Sequence, residues 1–183
     1  MNRILAGQGA LIVCCIFYLI WWYRGYRPGV TVNRVGGVNG LLFAMMVVLG
    51  VIGVVFSLTH ADEIRARLIP SQTVIIAAVI GFIVLLVITY FCFHRSVTTE
   101  LFLITLWTAL EVGVTDRLYA AGGIGHGGLT LELVIIAVAF AISMVLYVLY
   151  YRMEENAAFY AAMVPIVTEA LAMASMIIIT KAR

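Results

Sequence analysis

Three glutamates in this chain stand inside stretches that are otherwise apolar. Glu111 follows Trp107-Thr108-Ala109-Leu110, Glu132 lies one turn into a long hydrophobic run that opens at Leu129, and Glu169 lies near the middle of Ala157–Thr180. A charged group inside a membrane segment is costly and usually functional. Asp116 and His126 lie nearby in the sequence. The fourth and fifth apolar segments meet at the glycine-rich loop around His126, so Glu111, Thr115, Asp116, His126 and Glu132 approach one membrane face, with Gln8 and His60. A vestibule lined by carboxylates and a histidine would permit proton exchange near neutral pH.

Helical spacing groups some of these residues. Glu100 and Glu111 are 11 residues apart, and eleven steps of about 100° return to nearly the same face. Ile104, Trp107, Thr108 and Thr115 fall near that face. At about 1.5 Å per residue the two glutamates stand roughly 16 Å apart along the axis. Thr180 shares the Glu169 face by the same spacing. Pro165 lies four residues before Glu169 and offers no N–H to the carbonyl of Ala161. A freed carbonyl beside a buried carboxylate suits a cation or a proton. The candidate substrate- or proton-binding residues are therefore Glu111, Glu169, Glu132, His126 and Asp116.

Each candidate also has an ordinary reading. Asp116-Arg117 fits an interfacial helix end, Glu100 an interfacial acid, and His126 a polar residue in a glycine-rich loop. Glu132 is close enough to the interface to be solvated. Glu111 and Glu169 would also serve as protonated groups that tie helices together.

Other chemistries lack their signatures. The sequence has no HExxH, no cysteine–histidine cluster with zinc spacing, and no GxSxG. The string Gly122-Gly123-Ile124-Gly125-His126-Gly127-Gly128 lies between two apolar segments, not after a strand, so it reads as a tight turn or short re-entrant loop. His126, Glu111, Asp116 and Glu132 match no known metal-site spacing. No cofactor or metal is expected. Cys14, Cys15 and Cys92 lie in apolar runs and read as small fillers, and adjacent cysteines such as Cys14 and Cys15 rarely bond to each other.

The elements that position these residues follow from composition. The chain of 183 residues is 64% hydrophobic and 11% charged, with a mean hydropathy of +1.13. Soluble domains carry about 25% charged residues, so lipid is the natural solvent here. A net charge of +2 without a basic cluster excludes a nucleic-acid partner. Segments long and apolar enough to span are Ile4–Tyr23, Val38–Leu58, Thr73–Phe93, Val97–Leu118, Leu129–Tyr151 and Ala157–Thr180. The expected architecture is an all-α polytopic membrane bundle of about six transmembrane helices, forming one domain over residues 1–183. Five helices is the alternative, because the third and fourth segments join tightly at His94-Arg95-Ser96. Trp21, Trp22, Tyr23, Tyr90, Tyr147, Tyr150 and Tyr151 sit at segment ends, as interfacial aromatics do. The first segment ends in aromatics and Arg24 without a cleavage site, so it reads as a retained helix. Small-residue pairs four apart, such as Ala6/Ala10 and Ala170/Ala174, favour close helix packing.

Charge bias orients the chain poorly. Six basic residues fall on the N-terminal side and five on the other, which leans toward cytoplasmic termini. A shift of 91 residues lays Gly36-Gly37 over Gly127-Gly128. That would be the trace of an inverted 3+3 repeat.

These features lead to a small multipass transporter or channel-like permease in the cell membrane. Its substrate would be a small solute, coupled to protons through Glu111 and Glu169. The alternative is a non-catalytic membrane subunit that packs with a larger membrane partner, and assembly into a homo-oligomer is a separate expectation. An intramembrane enzyme using His126 with Glu111, Asp116 or Glu132 comes third.

Overall fold

The computed structural model describes residues 2–30, 36–58, 80, 83–84, 87 and 99–182, with backbone alone at 99–102. Among the described residues helices form where the apolar runs lie, because in lipid a helix satisfies every backbone donor and acceptor within the segment. They are α1 (Asn2–Tyr26), α2 (Gly37–Leu58), α3 (Thr99–Ala120), α4 (His126–Tyr150), α5 (Glu155–Ala161) and α6 (Val164–Lys181). The all-helical membrane bundle expected from composition is what the chain forms.

Fewer than six spans are found among the described residues. Among the described residues four stretches are long and apolar enough to cross a membrane: Asn2–Tyr26, Gly37–Leu58, His126–Tyr150 and Glu155–Lys181. The third expected segment, Thr73–Phe93, lies almost wholly outside the described residues. The fourth forms α3, whose 22 residues would suffice in length. It carries Glu100, Glu111, Asp116 and Arg117, however, and this charge removes it from the purely apolar class. Its polar residues turn inward instead: Glu111, Thr115 and Asp116 are all buried.

Helix α1 pairs antiparallel with α2. Gly7 faces Gly53 and Ser57, while Cys14 donates to the Met46 carbonyl (3.2 Å) and Arg24 to Asn39 Oδ1 (3.2 Å). The two backbones nearly touch. A Cβ built on Gly7 would lie 2.8 Å from the Ser57 nitrogen and 2.9 Å from the Gly53 oxygen. The closest approach is thus at glycines and not at the Ala6/Ala10 pair. Buried Gln8 donates to Ser57 Oγ at 3.3 Å.

Helix α6 is the centre of the bundle and packs on α1, α4 and α3. One apolar cluster joins Ile4, Val114, Leu118, Ile124, Leu129 and Met176 near the start of α1. A second, at mid-height, joins Leu11, Cys15 and Met173, with Trp107, Leu110 and Ile166 against it. The turn between α3 and α4 reverses at Gly122, whose φ of +74° suits a residue without a Cβ. His126, Gly127 and Gly128 belong to α4, so the loop is shorter than the glycine run. Gly128 lets α4 approach α6: a Cβ there would meet Ile179 Cγ2 at 2.9 Å.

The donor missing at Pro165 leaves its mark on the helix. The last apolar segment divides into α5, ending at Ala161, and α6, with Pro165 in its first turn. A proline fits there because first-turn N–H groups have no intrahelical acceptor.

Candidate functional site

Three helices bring the three glutamates into the interior. Glu111 on α3 and Glu132 on α4 are wholly buried, and Glu169 on α6 is 6% exposed. Glu111 lies within electrostatic reach of both others, and Cys15 on α1 within reach of Glu111 and Glu169. Glu132 is anchored to α6 by Ser175, whose Oγ lies 2.9 and 3.1 Å from its carboxylate oxygens. Ser175 stands six residues beyond Glu169, or roughly 9 Å along the helix. The acids therefore form a short column in the interior, in which no hydrogen bond joins Glu111 to either neighbour. Glu169 is at one end, Glu132 at the other, and Glu111 bridges them.

Their hydrogen bonding is uneven. Neither oxygen of Glu111 has a hydrogen-bond partner, nor does Oε2 of Glu169. The Trp107 indole, one turn before Glu111, is the donor nearest its carboxylate, yet its N–H makes no well-formed bond. Buried polar atoms without partners are rare, and each calls for an explanation such as water, an ion or a ligand.

A cavity of about 410 Å³ extends from Glu169 toward the α5 end of the bundle. Its wall includes Tyr18 and Trp22 of α1, Trp107 of α3, Tyr147 and Tyr150 of α4 and Tyr151 just beyond its end, with Ser143 and Glu169 as buried polar positions. Ala161, Ala162 and Pro165 also line it, so the helix break opens directly onto it. Ser143 Oγ and Trp107 Nε1 likewise lack partners. Trp22 is fixed in place: it stacks on Tyr26 with centroids 4.3 Å apart and donates to the Phe159 carbonyl at 3.3 Å.

The sequence-derived candidates divide on this geometry. Glu169 lines the cavity, Glu111 stands behind it, and Glu132 is farther along the column. Asp116 is buried, 2% exposed, and does not line the cavity. Asp116 thus lies near the end of α3, where an interfacial helix end was expected, but its side chain is buried there. Its neighbour Arg117 donates to the Ser57 carbonyl at 3.2 Å, linking α3 to the end of α2. His126 is exposed at the start of α4, with its ring against Tyr119 at 6.3 Å. It does not join the buried acids. No group of three His, Cys, Asp or Glu among the described residues could hold a metal. The side chains of Glu100 and His60 lie outside the described residues.

Sequence reasoning missed most of the wall. Tyr147, Tyr150, Tyr151 and Trp22 had the signature of an interfacial belt. Ser143 carried a signal, since it is an isolated hydroxyl within Ala139–Leu149. Comparison with protein-family models, curated proteins and solved structures finds no match to this chain.

Proposed function

We propose that this protein is a small multipass permease that moves a small solute in exchange for protons, with Glu169 and Glu111 as the proton-carrying groups. The observation that supports this most is the meeting of a cavity with a column of buried acids at Glu169. A solute in the cavity would contact Glu169 directly. A proton leaving Glu169 would find Glu111 and then Glu132 as successive acceptors. Pro165 interrupts the helical hydrogen bonding at Ala162–Met163 beside the cavity, where α5 and α6 otherwise run on as one stretch with helical dihedrals.

A non-catalytic subunit is the second reading, and the Ser175–Glu132 bond favours it, since that contact ties α4 to α6 as an interhelical hydrogen bond would. The enzyme reading has less support, because His126 is exposed while its intended partners are buried.

The test is solute uptake into proteoliposomes under an imposed pH gradient, with Glu111→Gln and Glu169→Gln beside the unmodified protein. Both substitutions should abolish gradient-driven uptake. Uptake unchanged in rate and pH dependence in both variants would overturn the proton coupling.

A further inference from the structure

We infer that the cavity binds an organic cation with an aromatic or otherwise apolar body, and that Glu169 is its counter-ion. This deepens the permease reading and rests on it for the biological use of the site, but the binding chemistry stands separately. The volume of about 410 Å³ falls in the roughly 300–1,000 Å³ range of small-molecule sites. Six of the eighteen described lining residues are aromatic, and ring faces carry the partial negative charge that attracts cations. Trp22 is already locked by its stack on Tyr26 and its bond to Phe159, so the wall needs little ordering on binding.

Charge decides between occupants. No lysine or arginine is among the described lining residues, and the one ionisable oxygen pair in the wall is that of Glu169. Its Oε2 is buried without a hydrogen-bond partner, on a residue only 6% exposed. One more unpartnered polar atom, Ser143 Oγ, belongs to a lining residue. A lipid tail would satisfy neither. An anion would face a carboxylate from Glu169, with Glu111 behind it. A cation with an apolar body meets the rings with its surface and Glu169 with its charge. Among the described residues the other titratable groups near Glu169 are Glu111 from α3 and Cys15 from α1, and neither contributes positive charge.

The experiment is titration of the purified protein in neutral detergent with tetraphenylphosphonium and with tetraphenylborate, which share a shape and differ in charge. Calorimetry reads affinity, and the fluorescence of Trp22 and Trp107 reports occupancy of the wall. The phosphonium should bind saturably and at least about tenfold tighter than the borate. Glu169→Gln should remove that preference, while Glu169→Asp should keep it. Ala162→Phe, which fills the cavity from a small lining position, should weaken both probes. Equal binding of the two ions, or a preference that survives Glu169→Gln, would overturn the inference. Should Glu169→Gln fail to fold, the ion preference of the unmodified protein together with Ala162→Phe decides. Selective binding without solute flux would keep this inference and overturn the permease reading. Flux without cation-selective binding would do the reverse.

Discussion

Adding one methyl group at Gly53 should loosen the α1–α2 pair, and removing the side chain of Leu11 should repair most of the damage. A Cβ at position 53 would stand 2.5 Å from Leu11 Cγ and 2.7 Å from Leu11 Cδ2. Carbon atoms prefer roughly 3.5–4.0 Å, so about 1 Å of displacement is required. Leu11 cannot supply it by turning aside, because it is wholly buried against Cys15 and Met173. Overpacking of this kind costs about 1–3 kcal/mol. Gly53→Ala should therefore shift the folding equilibrium by roughly 5- to 150-fold, at about 1.4 kcal/mol per tenfold. Leu11→Ala alone also destabilises, through lost packing. The double variant should be more stable than the sum of the two by about 1–2 kcal/mol. Gly7→Ala is the control. Its Cβ would meet backbone atoms, the Ser57 nitrogen and the Gly53 oxygen, which no side-chain truncation relieves. Reversible unfolding in mixed micelles measures all four variants. Additive effects for Gly53 and Leu11, or a Gly7→Ala variant as stable as the unmodified protein, would refute this packing.

Other consequences are simpler to test. Ser175→Ala removes the hydroxyl beside wholly buried Glu132, and should cost about 1 kcal/mol in the same unfolding assay. Replacing Glu132 with Gln should leave that bond available and cost less. His126→Ala should change stability by less than about 0.5 kcal/mol and leave uptake intact, because the ring is exposed and touches only Tyr119 among the described contacts. Arg117→Ala removes the bond to the Ser57 carbonyl and should destabilise the chain by about 1–2 kcal/mol, without altering the affinity of a cavity ligand.

The helices themselves were largely legible. Apolar length located α1 and α2 within a few residues, since lipid leaves the backbone little choice. The end of α4 was likewise found, whereas its start was placed too late, at Leu129 instead of His126. Glycine reads as a loop residue in water-soluble chains, but Gly128 serves here as helix surface against α6. Pro165 announced the helix break because its missing donor is a local property. Glu111 and Glu169 were legible because burying an acid is expensive wherever the helix faces.

What a single sequence withholds is azimuth. The run around Tyr147, Tyr150 and Tyr151 gives depth, and aromatic rings at that depth suit either headgroups or a cavity wall. Only the packing of α1, α4 and α6 shows that Tyr147 faces inward, at 8% exposure. The Gly7–Gly53 contact was hidden for the same reason. It depends on the register of two helices and not on spacing within either one. The number of spans remained ambiguous because α3 is long enough but carries its charge inside.

Proton counting tests the central claim most directly. Proteoliposomes holding the protein and an internal pH dye would be made acidic inside, and an aromatic cation added outside. The account predicts that cation entry drives proton exit in the unmodified protein, and that Glu169→Gln and Glu111→Gln each abolish the dye response. Cation entry with no accompanying proton exit, or a full response in either variant, would contradict it.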